Sequence, residues 1–393
     1  MTPQARVQAA IELLDEIVAA AASGGAAADT IIARYFKTRR YAGSKDRRAV
    51  RDLVYAAIRR SGERPSSGRA AILGLVEDDP DLLRLFDGSA HAPAPTDLNE
   101  GRSAAAVAPT WMNGLFDPLV DEREQAALLE RASLDLRVNS LKASREDVVS
   151  AFEGSALTPL SPLGIRLPEG LNVERHELLG SGLVEIQDEG SQLLALACGA
   201  KPGMTVIDLC AGAGGKTLAI AAEMRDQGRI IACDVDRTRL SRMAPRVERA
   251  GASIVETRLL NGKRERDGLA DLKQAADIVL VDAPCSGTGT WRRNPEARWR
   301  LDERRLEQLV RLQAHILDIA WELVRPGGAL VYAVCSVLRA EGRDQADAFG
   351  VDHSGLVPED VPINGGRPAG SGRLLTPLHD GTDGFFVARW KSS

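Results

Sequence analysis

The chain is 393 residues long, 44% hydrophobic and 27% charged, enough for two or three domains that each bury a core. A formal net charge of −5 argues against a simple nucleic-acid coat, and no run of eighteen uncharged apolar residues offers a membrane span. The five cysteines, at 198, 210, 233, 285 and 335, show no CxxC or Cys/His pattern, which argues against a disulfide framework or a zinc site. A cytoplasmic, metal-free monomer with no membrane partner is expected.

MTPQARVQAAIELLDEIVAA reads as an amphipathic helix with Ile11, Leu14, Ile17 and Val18 on one face. Glu12, Asp15 and Glu16 interrupt it and exclude a signal-peptide core. Residues 1 to about 87 read as several helices, AVRDLVYAAIRR at 49–60 among them. Between Arg34 and Arg69 there are twelve Lys or Arg against three acids, with Tyr35, Phe36, Tyr41 and Tyr55 interleaved. Such a run is either a solvated helix face or a phosphate-contacting surface, and Arg39, Arg40, Arg47 and Arg48 are its candidate RNA contacts. DGSAHAPAPTDLNEGRSAAAVAP (87–109) reads as a loose connection, and helical signals resume at WMNGLFDPLVDEREQAALLERA. LDLRVNSLK (134–142) is strand-like, and ASREDVVSAFEG is a helix with Ser144 as its cap. GIRLP and GLVEIQD suggest further short strands. The expected domains are therefore a helical one at 1–125, a small α+β unit at 126–185 and an α/β domain at 186–393.

From about 186 strands and helices alternate. TVIDLCA, GRIIACDVD, ADIVLVDAP and ALVYAVCSV read as strands, with helices at LAIAAEM, TRLSRMAPRVERAG and ERRLEQLVRLQAHILDIAWELV. Continuous apolar strands between helices indicate a parallel sheet covered on both faces. GRLLTPLHDGTDGFFVARW adds two strands around a Gly/Asp turn.

Ligands of such sheets sit outside the carboxyl ends of the strands, where CAGAGGKT (210–217) follows TVIDL. A Walker A loop needs glycine at Cys210, and a dinucleotide fingerprint needs glycine at Thr217, so neither fits. Asp208 ends the first strand, Gly212, Gly214 and Gly215 let the backbone approach a ligand, and Asp234 ends the second. A carboxylate there can accept from two ribose hydroxyls, which suits S-adenosylmethionine, a nucleoside with a free ribose and an amino-acid tail. Tight turns also use glycine for structure alone; the acidic strand end tips the reading to a cofactor.

VDAPCSGTGT (281–290) sets Cys285 after Asp-Ala-Pro, and VYAVCSV sets Cys335 at the end of a later strand. Methyltransferases of exocyclic amines place an aromatic where Cys285 stands, so a thiol there suggests carbon chemistry. C5 of a pyrimidine is too weak a nucleophile to attack a methylsulfonium, but a thiolate added to C6 turns it into a reactive enamine carbon. Asp282 could hydrogen-bond the N3/N4 edge of a cytosine. A lone cysteine is more often a buried small hydrophobe, the reading that suits Cys198 and Cys233, whereas Cys210 lines the cofactor loop.

VDAPCSGTGTWRRNPEARW and VYAVCSV together resemble the Sun/RsmB family of RNA cytosine-5 methyltransferases. DLCAGAGGKT is similar to that family's DLCAAPGGKT and RVNSLK to its RVNTLK, and IQDEGSQL and DGTDGFFVARW also match. The resemblance covers about 130–393, and the helical N-terminal part looks like the RNA-binding NusB-like domain of bacterial members. It implies a Rossmann-like class I methyltransferase domain with a mostly parallel seven-stranded sheet, preceded by the small α+β unit and the all-α domain. It also implies S-adenosylmethionine as cofactor and RNA, 16S ribosomal RNA in particular, as substrate.

By position, Cys335 would attack C6 and Cys285 would assist breakdown of the adduct, with the roles reversed in DNA cytosine methyltransferases. Cys210, Ala211, Gly212, Ala213, Gly214, Gly215 and Lys216 would cradle the methionine end of the cofactor. Asp234 would bind its ribose with Arg239 nearby, and Asp282 would face both cofactor and base. Arg292, Arg293 and Asn294 would meet RNA. Ala213 departs from the family's proline, Asn261 stands in for a missing adenine-side Asp, and Val334 and Ala340-Glu341-Gly342 depart from a Thr and a Glu-Glu-Asn. The alternatives are a tRNA or DNA cytosine-5 methyltransferase, or a non-catalytic RNA-binding assembly factor.

Overall fold

The computed structural model describes residues 1–97, 99–171, 173, 176–353 and 355–393. Leu98, within the 87–109 connection, Asn172, Glu174 and Arg175, within the small α+β stretch, and Ser354 lie outside the described residues. Two compact units emerge, one of Met1–Leu115, Gln125–Glu130 and Thr290–Arg305, the other of Phe116–Glu124, Arg131–Gly289 and Leu306–Ser393. Among the described residues no helix is long and apolar enough to cross a membrane.

The first unit is helical, with helices Pro3–Ser23, Ala28–Thr38, Ser44–Arg60 and Gly68–Leu75. Thr2 starts the first by accepting from the Ala5 amide at 3.2 Å, and Gly24, at φ 71°, stops it. Ile11, Leu14 and Ile17 are buried in the unit's core with Ile31, Ile58 and Ile72, as the periodicity predicts, and Val18 packs at its margin. Arg298 caps the end of Ser44–Arg60. Its buried guanidinium donates to the carbonyls of Ile58, of Arg59 at 2.9 Å and of Ser61 at 2.8 Å, satisfying groups that a helix terminus leaves open. The stretch from Trp111 makes only the single turn Thr110–Met112 and the short helix Glu122–Ala127, because Gly114 sits at φ 79° and Pro118 cannot donate to a helix.

In the second unit, β1 (Leu134–Val138), β2 (Ala156–Leu157), β3 (Gly164–Leu167) and β4 (Val184–Ile186) form an antiparallel sheet in the order β2-β3-β1-β4. Leu136, Val138, Ile165 and Val184 bury their side chains beside Val148 and Phe152. Ser144 caps the helix Arg145–Val149 through the Asp147 amide at 3.2 Å.

The large sheet comprises β5 (Thr205–Asp208), β6 (Arg229–Asp234), β7 (Val255–Leu259), β8 (Ala276–Asp282), β9 (Val324–Val334), β10 (Leu356–Glu359), β11 (Arg367–Ala369), β12 (Gly372–Leu375) and β13 (Phe385–Ser392). Its order is β11-β12-β13-β9-β8-β5-β6-β7, with β10 paired to β13. Strands β5 to β9 are parallel and the four later ones extend one edge antiparallel. Nine strands stand where seven were expected, because the tail adds β10 and β11, four and three residues long, too short to show a period. β8 and β9 are buried over nearly their whole apolar runs, as strands covered on both faces must be. The helix read at TRLSRMAPRVERAG is two, Arg237–Ser241 and Ala244–Ala250, divided before Pro245.

Candidate active site

Because β5, β6, β8 and β9 are parallel, Asp208, Asp234, Asp282 and Val334 end them along one edge of the sheet. Two structures occupy that edge. After β5 the chain turns through Gly212 at φ 57° and Gly214 at φ 86° into the helix Gly215–Glu223. The Gly212 amide donates to Asp234 Oδ2 at 2.8 Å, and the Asp236 amide donates to Oδ1 at 2.7 Å, which fixes the carboxylate. Arg246 braces the same loop, donating to the Ala213 carbonyl at 2.6 Å and to Glu185 on β4 at 2.7 Å, and Arg249 pairs with Glu185 at 2.7 Å. Below the loop, Asp208 Oδ2 accepts from the Thr217 hydroxyl at 2.7 Å, and burial pushes this carboxyl up to about 7.

After β8 and β9 the edge carries sulfur. Cys285 Sγ and Cys335 Sγ lie 3.2 Å apart, both partly exposed. Lys216 Nζ donates to Asp282 Oδ2 at 2.7 Å beside them. Burial opposes the charge on Lys216, but Asp282 and Cys335 outweigh it and raise its pKa, so the ammonium persists. The cofactor loop and the two thiols thus share one edge through Lys216 and Asp282.

The profile of the 16S rRNA methyltransferase RsmB/F family matches residues 195–391. A probable ribosomal RNA small subunit methyltransferase B from Synechocystis is 34% identical over 303 residues, covering 72% of this chain and 67% of that protein. The chain belongs to the RsmB/F family. The small subunit methyltransferase B of Salmonella newport is 34% identical over 264 residues, 66% of this chain and 60% of its own length. A methyltransferase homologue from Pyrococcus horikoshii shares the fold at a TM-score of 0.59, with 27% identity over 69% of this chain and 90% of that one.

RsmB/F proteins take S-adenosylmethionine, and the residues here fit it. A side chain added at Gly212 would meet no atom within 4 Å, so the loop is open on that side. Asp208 Oδ1 is buried with no hydrogen-bond partner among the described residues. Asp234 keeps acceptor capacity beyond its two amides. Residues 210–216 and Asp234 would hold the cofactor, with Ala211 pinned by its amide to the Cys233 carbonyl at 2.9 Å. Cys210 is a neutral thiol, pushed up by burial and by Asp208, Asp282 and Asp234. Cys198 and Cys233 are buried, and burial pushes each thiol up to about 12.

Other expected site residues stand farther out. Arg239, 62% exposed, pairs with Asp236 at 3.5 Å, and Asn261 is exposed two residues beyond β7. Arg292 is nearly buried and Asn294 exposed, and with Arg293 they lie in the segment that belongs to the helical unit. Arg39 stacks 3.5 Å from the Tyr35 ring centre and pairs with Glu12, Arg47 donates to the Ala42 carbonyl at 2.8 Å, and Arg40 and Arg48 are exposed.

Two residues beside the thiols escaped the sequence reading. Glu341, noted there only inside a departure from the family pattern, is fully buried and accepts from the Ser286 amide at 2.8 Å and the Ser336 hydroxyl at 2.6 Å. Gln313, in the long helix Glu303–Leu323, donates to Glu341 at 3.0 Å and to the Pro284 carbonyl at 2.9 Å. A signal for Glu341 existed, an acid six residues past a site cysteine. Gln313 carried none, lying in an ordinary amphipathic pattern.

Proposed function

We propose that this protein methylates C5 of a cytosine in RNA, with 16S ribosomal RNA as its substrate, through a covalent bond between Cys335 and C6 of the base. The observation that carries this reading is the pair of sulfurs 3.2 Å apart, on the edge that also bears the cofactor loop. A lone structural cysteine needs no second sulfur at that distance, whereas addition and elimination can use one thiol as the nucleophile and the other in its release. Cys335 adds to C6 and makes C5 nucleophilic. S-adenosylmethionine supplies an electrophilic methyl group at that point. Asp282, held by Lys216, accepts from the cytosine amine edge. After methyl transfer a base takes the C5 proton, the C6–S bond breaks and Cys335 leaves as thiolate, with Cys285 assisting this release.

The RNA assignment comes from the small subunit methyltransferases that this chain matches over 60 to 67% of their lengths. In this reading the helical unit, NusB-like, binds RNA through its basic run with Arg39, Arg40, Arg47 and Arg48. The small α+β unit helps to position the strand, Arg292, Arg293 and Asn294 meet RNA, and the target base must leave its stack to reach the sulfurs. The test is substitution of each thiol. Cys335→Ala abolishes methyl transfer, seen as loss of a bisulfite-resistant cytosine in ribosomal RNA. Cys285→Ala accumulates a protein–RNA adduct that survives denaturing gels. Retained turnover in Cys335→Ala, with no adduct in Cys285→Ala, would refute the assignment.

A further inference from the structure

Glu341 takes no part in the chemistry above, yet it is a fully buried acid at its centre. Its carboxylate accepts from the Ser286 amide at 2.8 Å, the Ser286 hydroxyl, the Ser336 hydroxyl at 2.6 Å and Gln313 Nε2 at 3.0 Å. Four donors converge on its two oxygens, the arrangement an ionised carboxylate accepts. The orientation of Gln313 follows from the same bonds, since both partners of its Nε2, Glu341 and the Pro284 carbonyl, can only accept. Ser286 follows Cys285 and Ser336 follows Cys335, so one buried charge fastens both cysteine-bearing turns. The Tyr332 hydroxyl anchors Glu341 in turn, donating to its backbone carbonyl at 2.6 Å.

We propose that Glu341 is the positioning residue that divides labour between the thiols, holding Cys285 as a neutral donor against Cys335 and leaving Cys335 to carry the nucleophilic anion. This rests on the covalent reading above and adds to it a reason why the later cysteine attacks. The groups facing the pair agree. Cys285 is hydrogen-bonded to Cys335 and shares its electrostatic surroundings with Glu341 and the Tyr332 hydroxyl. Its hydrogen bond to Cys335, burial, and the charges of Cys335 and Glu341 all push its thiol up, while the Gly287 amide works the other way. Cys335 has the Lys216 ammonium in its field, itself paired with Asp282.

The test is alkylation of the protein alone by iodoacetamide across the range around the free-thiol pKa of about 8.5, read peptide by peptide in a mass spectrometer. In the natural protein Cys335 is expected to react at lower pH than Cys285. Glu341→Gln keeps the shape and removes the charge, so Cys285 labelling at neutral pH should rise about tenfold, the effect of one pKa unit. The turnover number for methyl transfer should fall while KM for S-adenosylmethionine stays level. Cys285 reacting at or below the pH of Cys335 in the natural protein would overturn the proposal without any variant. So would an unchanged Cys285 profile in folded Glu341→Gln. Labelling needs neither RNA nor cofactor: methylation with reversed labelling removes the role of Glu341 alone, whereas the expected labelling without cytosine methylation removes the proposed function.

Discussion

The two halves of the sheet's carboxyl edge are built on opposite plans. Around Cys285 and Cys335 the anchors converge on one side chain: the Ser286 amide and the Ser286, Ser336 and Gln313 side chains close on the buried Glu341 carboxylate. Around the glycine loop the anchors are largely backbone, the Gly212 and Asp236 amides on Asp234 and the Ala213 carbonyl under Arg246. A nucleophile must be held to within a few tenths of an ångström, which a satisfied polar network achieves. A loop that wraps a small molecule must bring its own main chain close, which glycine, lacking a Cβ, permits.

Three experiments would sharpen or break that contrast. The largest effect is expected below the glycine loop. Burial holds the proton of Asp208 up to about pH 7 in the folded protein, against an ordinary carboxyl value of 3.8. Between those limits the unfolded chain has released the proton and the folded one has not, so rising pH favours unfolding, by about 4 kcal/mol in total. This loss is complete above about pH 7. Asp208→Asn has no proton to lose, so the difference in urea-unfolding stability between variant and natural protein should move in the variant's favour by about 4 kcal/mol over that window. Parallel curves would show that Asp208 ionises normally.

On the sulfur side, Ser336→Ala strands the Leu338 amide and takes one partner from the Thr288 hydroxyl and one donor from Glu341. It should lower stability by about 2 kcal/mol in denaturant melts, and a change under about 0.5 kcal/mol would mean the cluster is not a tight one. The smallest effect belongs to the brace on the loop. Arg246→Ala removes charge-assisted bonds to Ala213 and Glu185 and should raise KM for S-adenosylmethionine about tenfold with the turnover number within about twofold. A fall in turnover with KM unchanged would move Arg246 from cofactor loop to chemistry.

Much of this site was legible in the chain. Cys285, Cys335 and Asp282 announced themselves by standing at the ends of apolar runs, and CAGAGGKT by following one. Glu341 did not, because an acid reads as a surface residue until four donors are seen around it. Gln313 lies 28 residues from Glu341 in the chain and meets it only because their elements pack together. The single helix expected after β6 and the seven-stranded sheet erred for local reasons, a proline and very short strands.

The sequence alone determined the strand-and-helix alternation, the glycine turn and the two cysteines that follow apolar strands, because periodicity, backbone freedom and chemical type are properties of adjacent residues. Only the tertiary structure decided that Arg298, from a segment 240 residues distant, caps a helix at Ile58. Only it, likewise, gathered Lys216, Asp282, Cys285, Cys335 and Glu341 into one neighbourhood. Distance and burial set the strength of a charge, and neither is written in the order of residues.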